Sequence, residues 1–89
     1  MLETKIIELA QPVEFGGTTY DKISLREPTV GEVDKAFKAN AGLSGSILLI
    51  SLVSDIPRGA IEKLPMRPFR EASDFLAVFT ESTLPTTEN

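Results

Sequence analysis

The spacing of apolar residues changes character at Pro28, and that change limits the possible folds more than any other feature of the chain. Before it, Ile7, Leu9, Val13 and Phe15 recur at even intervals, the period of a strand with one buried face. After it, Val30, Val33, Ala36 and Phe37 follow helical spacing. Pro28 lacks an N–H and stops the ladder, while Thr29 with Glu32 three residues on has the spacing of a capping box. The fold class expected is therefore α+β, an N-terminal antiparallel β-hairpin over about 4–26 followed by three to four short α-helices over about 29–82.

Gly16 and Gly17 mark the reversal of the hairpin. A strict two-residue turn pairs Val13 with Tyr20 and would set Ile23 and Leu25 on the face opposite Leu9, because side chains alternate along a strand. One extra residue restores agreement, either in the loop or as a bulge near Asp21 and Lys22 opposite Pro12. In both cases Leu25 is expected opposite Leu9, and Arg26 opposite Glu8 as a favourable cross-strand pair.

Asn and Gly residues in "NAGLSG" at 40–45 end the first helix. A second helix is expected from about Ser46 to Ser54. Asp55 and Pro57 read as cap and start of a short turn through Leu64. Phe69, Ala72, Leu76 and Phe79 form one stripe and predict a last helix to about Ser82. One domain over 1–82 is expected, with 83–89 as a disordered tail.

Wound at about 100° per residue, the second helix has its polar side at Ser51, Ser54 and Asp55, with Leu49, Leu52 and Val53 facing away from it. Ile47 and Ile50 fall outside the buried arc. In the last helix Val78 lies off the main stripe and Phe75 at its edge. A domain of 89 residues should cover most of its large apolar groups, so these four positions are expected to form an interface with a partner or with further copies. Burial under neighbouring elements is the other reading of the same four residues, since the periodicity of single helices is a weak guide to burial.

Composition excludes more than it assigns. The chain has no cysteine and no histidine, which removes disulfides, thiolate metal sites and the commonest general base near neutral pH. Glu32 and Asp34 point to different sides of a helix and do not converge as an acid/base pair. "GLSGS" superficially matches a nucleophile elbow, but its serines have no histidine to activate them. The glycine pair lacks the spacing of a phosphate loop. No catalytic, metal or cofactor site is expected, and the chain is not expected to be an enzyme. A formal charge of −4 gives no footprint for nucleic acid. The longest apolar run, "ILLI" at 47–50, is far short of the roughly 20 residues of a membrane helix, and the acidic start does not read as a secretory signal. No membrane partner and a cytoplasmic location are expected. Arg67 and Arg70 could hold an acidic partner, although charges flanking a helix start are usually solvated.

In "PVEFGGTTYDKISLREPTVGEV", 12–33, Pro12, Val13, Phe15, Gly16, Tyr20, Leu25, Arg26, Pro28, Thr29 and Gly31 stand in a pattern that resembles the small tail assembly chaperones of contractile-tailed bacteriophages. The likeness continues more loosely over 48–79, where Asp74 and Phe75 match a Leu-x-x-x-Asp-Phe-like step. The stretch Ala39 to Ser46 departs from it, being richer in Gly and Ser. The resemblance implies a protein of the host bacterial cytoplasm that binds and shields the long helical tape measure protein before the tail tube polymerises around it. An amphipathic module would do this reversibly and without nucleotide. A structural or adaptor subunit retained in a finished particle is the alternative, using the same surface permanently.

Overall fold

The computed structural model describes residues 4–39 and 42–83, and the tail expected over 83–89 lies, beyond Thr83, outside the described residues. Two strands, β1 (Thr4–Phe15) and β2 (Thr18–Arg26), pair antiparallel and precede four helices: α1 (Val30–Ala39), α2 (Gly42–Ser54), α3 (Arg58–Ile61) and α4 (Met66–Thr83). The architecture is α+β, a hairpin followed by helices.

The reversal is a two-residue turn. Gly16 at φ 61° and Gly17 at φ 82° both occupy the left-handed region, as a hairpin turn matched to strand twist requires. Val13 pairs with Tyr20 and Phe15 with Thr18. The ladder then breaks and resumes as Glu8↔Lys22, Ile7↔Ile23, Lys5↔Leu25 and Thr4↔Arg26. Leu25 is thus opposite Lys5 rather than Leu9, and Arg26 opposite Thr4 rather than Glu8. The expected single-residue correction on β2 is replaced by a larger irregularity on β1, where Leu9, Ala10, Gln11 and Pro12 run past Asp21 alone. Pro12 explains why the slack collects there, since it cannot donate to a ladder. β2 also changes face at this point: Tyr20 and Ile23, three positions apart, both pack on the core.

The core lies between one face of the hairpin and the helices. Ile7, Val13, Ile23 and Leu25 supply the sheet side, and Leu49, Ile50, Val53, Ile61 and Leu76 much of the helical side. Apolar surface removed from water by these groups is the main source of stability. α2 is the central element, packing against α1, β2, α3 and α4. It begins at Gly42, about four residues earlier than Ser46, because the small residues of "GLSGS" are taken into the helix and Gly45 is buried there. α4 likewise begins at Met66, three residues before Phe69, since Pro68 falls in its first turn, where no N–H is needed.

Asp55 does not cap the following turn. It sits at φ 62°, and its N–H donates to the Ser51 carbonyl at 3.0 Å, so it closes α2 as the left-handed residue beyond the last turn. The residue before α3 is Pro57, without a side-chain capping bond.

The tip of the hairpin is fixed on α3 by size. The Phe15 ring covers the Cα of Gly59, and a Cβ built there would overlap the ring. Lys63 Nζ lies 5.9 Å from the same ring's centroid. Gly59→Ala is therefore expected to push Phe15 off α3 and to destabilise the fold by about 1–3 kcal/mol. Chemical denaturation measures the loss, and an unchanged midpoint would show that the ring is not seated as described.

Candidate protein-binding surface

The residues that join hairpin to helices are built as one junction. Thr29 Oγ1 accepts the Glu32 N–H at 3.1 Å, and Glu32 Oε1 accepts the Thr29 N–H at 2.9 Å, so two donors of the first turn of α1 are answered reciprocally. The Thr29 carbonyl takes the Val33 N–H at 3.1 Å. Arg26, at the last position of β2, donates both ends of its guanidinium to Glu32, at 2.9 and 2.7 Å, and reaches the Leu52 carbonyl at 3.4 Å. One side chain thus ties β2, α1 and the last turn of α2. The Arg26 hydrogen bonds hold the Glu32 carboxyl at about 2, well below its usual value, against the opposing effect of partial burial, and the Thr29 bonds add to the lowering. The Arg26 guanidinium is raised by the same hydrogen bonds. Pro28, half-buried between strand and helix, ends the ribbon one residue before the cap.

The four proposed interface positions separate. Ile50 is 0% exposed and belongs to the core. Ile47 and Phe75 are half-buried and packed against it. Val78 is 62% exposed on α4. Ile50 is corrected for a physical reason. Ser51 and Ser54, the supposed polar side, spend their hydroxyls on the chain itself: Ser51 donates to the Ile56 carbonyl and Ser54 to that of Ile50, both at 2.6 Å. Ser54 Oγ also accepts the Ile56 N–H at 3.3 Å. A face whose hydroxyls are satisfied locally can be packed over, and α2 is surrounded. Phe75 stacks edge-to-face on Phe79, centroids 5.3 Å apart at 71°.

Ile6, Leu43 and Met66 are exposed apolar side chains that periodicity did not single out, and Val30 and Phe37, which it placed on the apolar stripe of α1, are exposed as well. Ile6 stands on the outer face of β1, and Leu43 and Met66 lie in the first turns of their helices, where few neighbours reach them. Phe37, on α1, borders a notch of about 80 Å³ floored by Leu49 and Ile50 and closed by Ser73 and Ala77 of α4. A larger groove, about 480 Å³, runs between the irregular part of β1 and the first turns of α4.

Among the described residues no cluster of three or more His, Cys, Asp or Glu side chains is placed to hold a metal ion. No helix of the described residues is long and apolar enough to cross a membrane. Fold and surface together define a small α+β module that presents apolar side chains on several faces.

The family model for "Phage tail assembly chaperone proteins, E, or 41 or 14" matches residues 6–81, which takes in nearly the whole hairpin and helical part, and the chain belongs to that family. No curated protein and no solved structure matches it.

Proposed function

We propose that this protein is a non-enzymatic chaperone that binds the tape measure protein in the host cytoplasm and shields its apolar stripes until tail tube subunits enclose them. The reading is carried by the family match over 6–81, and is supported by the apolar side chains presented outside the core. A chaperone of this kind needs reversible contacts, and scattered apolar residues on a stable scaffold provide them without a reaction step. The contact surface proposed includes Val78 and the accessible edges of Ile47 and Phe75, with Ile50 beneath them as support. Self-association through the same surface is part of the proposal, since copies lined along an extended helical partner would meet side by side.

Val78→Asp is expected to weaken capture of purified tape measure segments about tenfold or more while helix content by circular dichroism stays at the wild-type level. Ile47→Asp tests the same face nearer the core. Unchanged capture by both variants removes these positions from the site. Light scattering should give a mass above that of one chain, and a monomer at high concentration would count against self-association. Detection of the chain in mature virions by mass spectrometry would instead favour a retained structural subunit.

A further inference from the structure

α1 gives less to the core than any other element of the fold. Of the side chains described on it only Ala36 is buried, a single methyl group, while Val30 and Phe37 are exposed and Val33 is half-buried. α2 buries Leu49, Ile50 and Val53, α4 buries Phe69, Ala72 and Leu76, and even the short α3 buries Ala60 and Ile61. The packing under the C-terminal half of α1 is incomplete, since Phe37 borders the notch of about 80 Å³ above Leu49 and Ile50. Polar ties are few as well. Beyond its own cap at Thr29, α1 is bonded to another element through Glu32 alone, to Arg26, and the Asp34–Lys38 pair lies within the helix. Among the described residues no hydrogen bond or ion pair joins 34–39 to any other element. α2, in contrast, is packed by β2, α3 and α4 independently of α1.

We propose that α1 is a flap that opens as a unit while the hairpin, α2, α3 and α4 stay folded, baring Ala36 together with the Leu49 and Ile50 side chains around the notch. Local opening is easiest where the fewest apolar contacts are lost. Lifting α1 uncovers a methyl group, part of Val33 and the α2 surface beneath them. Lifting α4 would uncover Phe69 and Leu76, and lifting the hairpin would uncover Ile7, Val13, Ile23 and Leu25. The Arg26–Glu32 pair is the latch that has to break, and its partial exposure keeps its contribution small. Off its seat, α1 cannot hold its helical bonds, because a helix of ten residues is marginal in water on its own. The surface so uncovered is apolar, floored by Leu49 and Ile50 and edged by Leu76 and Ala77 of α4. The closed chain stores it and the open chain displays it. This opening is a property of the chain alone and stands apart from the chaperone reading.

The test is hydrogen exchange of the full chain, followed residue by residue under native conditions. Amides of Lys35, Ala36 and Phe37 are expected to be at least about tenfold less protected than those of Ile23, Ile50 and Leu76, and to share one opening free energy. Ile61→Val, on α3, should speed the three core amides roughly two- to tenfold, because they exchange through unfolding of the whole chain, and should leave the α1 amides at the wild-type rate. The absence of cysteine gives a second readout. Ala36→Cys and Ala72→Cys each place a lone thiol where the native side chain is fully buried, and the first should react with a soluble disulfide reagent at least about tenfold faster. Equal acceleration of α1 and core amides by Ile61→Val would overturn the proposal, since α1 would then open only with everything else. Protection that climbs steadily inward from Lys38 would also overturn it, as the mark of fraying from one end. Equal labelling of the two thiols, in variants with matching circular dichroism, would do the same. The exchange measurement needs no cysteine and decides alone where Ala36→Cys does not fold.

Discussion

Ile23→Ala is expected to remove about 2–5 kcal/mol of folding stability, the range for truncating a large buried aliphatic side chain. A domain of 89 residues has only about 5–13 kcal/mol in total, so the variant should be substantially unfolded in mild denaturant. The size of the effect follows from position. Ile23 is 0% exposed and pairs with Ile7 where the regular part of the hairpin faces the helices, so a cavity there is walled by both layers and cannot collapse easily. Ile6, next to Ile7 on the opposite face, is 58% exposed, and Ile6→Ala should change stability by less than about 0.5 kcal/mol. Urea denaturation of the two variants side by side checks this. Similar losses for both would mean that the two faces of the hairpin are not as different as the burial pattern makes them.

The same contrast shows where a sequence reader succeeds and where it cannot. The alternation that puts Ile7 inside and Ile6 outside is local, and so are the glycine turn and the capping box, each decided by residues within a few positions of one another. Register is not local. The shift at Leu9–Pro12 is fixed by how both ends of the hairpin dock, Phe15 on Gly59 at the tip and Leu25 in the core at the base, and no window of β1 or β2 contains that information. Ile50 was misplaced on the same ground. A helical wheel assigns one buried arc, which holds for a helix with one covered side, whereas α2 is covered by four elements, and the Ser51 and Ser54 hydroxyls are taken up by the carbonyls of Ile56, just past the helix, and Ile50. The groove beside Arg67 was legible only as one of two arginines near the start of α4, because its other wall lies more than fifty positions away in the chain. Arg26 was assigned to a pair with Glu8 when its partner was Glu32, six residues on, across a corner that strand geometry alone does not show.

That corner gives the second large effect. Glu32→Ala removes both the bond to the Thr29 N–H and the two-pronged pair with Arg26, and leaves the guanidinium with only carbonyl acceptors. The lost bond to the Thr29 N–H costs roughly 1 kcal/mol, and a partly exposed ion pair of good geometry up to about 1 more, so a loss of about 2 kcal/mol is expected while the Thr29 Oγ1 cap stays in place. Glu32→Gln keeps an acceptor for the Thr29 N–H and should recover the capping half, which separates the two contributions. The pH dependence has a definite sign. Because the folded chain holds Glu32 at about 2, below the usual 4.5, the unfolded chain binds more protons between those values, and acid favours unfolding. The stabilisation is complete above pH 4.5 and disappears as the pH falls towards 2. Wild type should therefore lose more stability than Glu32→Gln over that window, and the two curves should converge at its acid end. Parallel curves from pH 5 to 2 would mean that Arg26 and Glu32 are solvated separately, and the hairpin would then be attached to α1 by packing and by the short Glu27–Thr29 link alone.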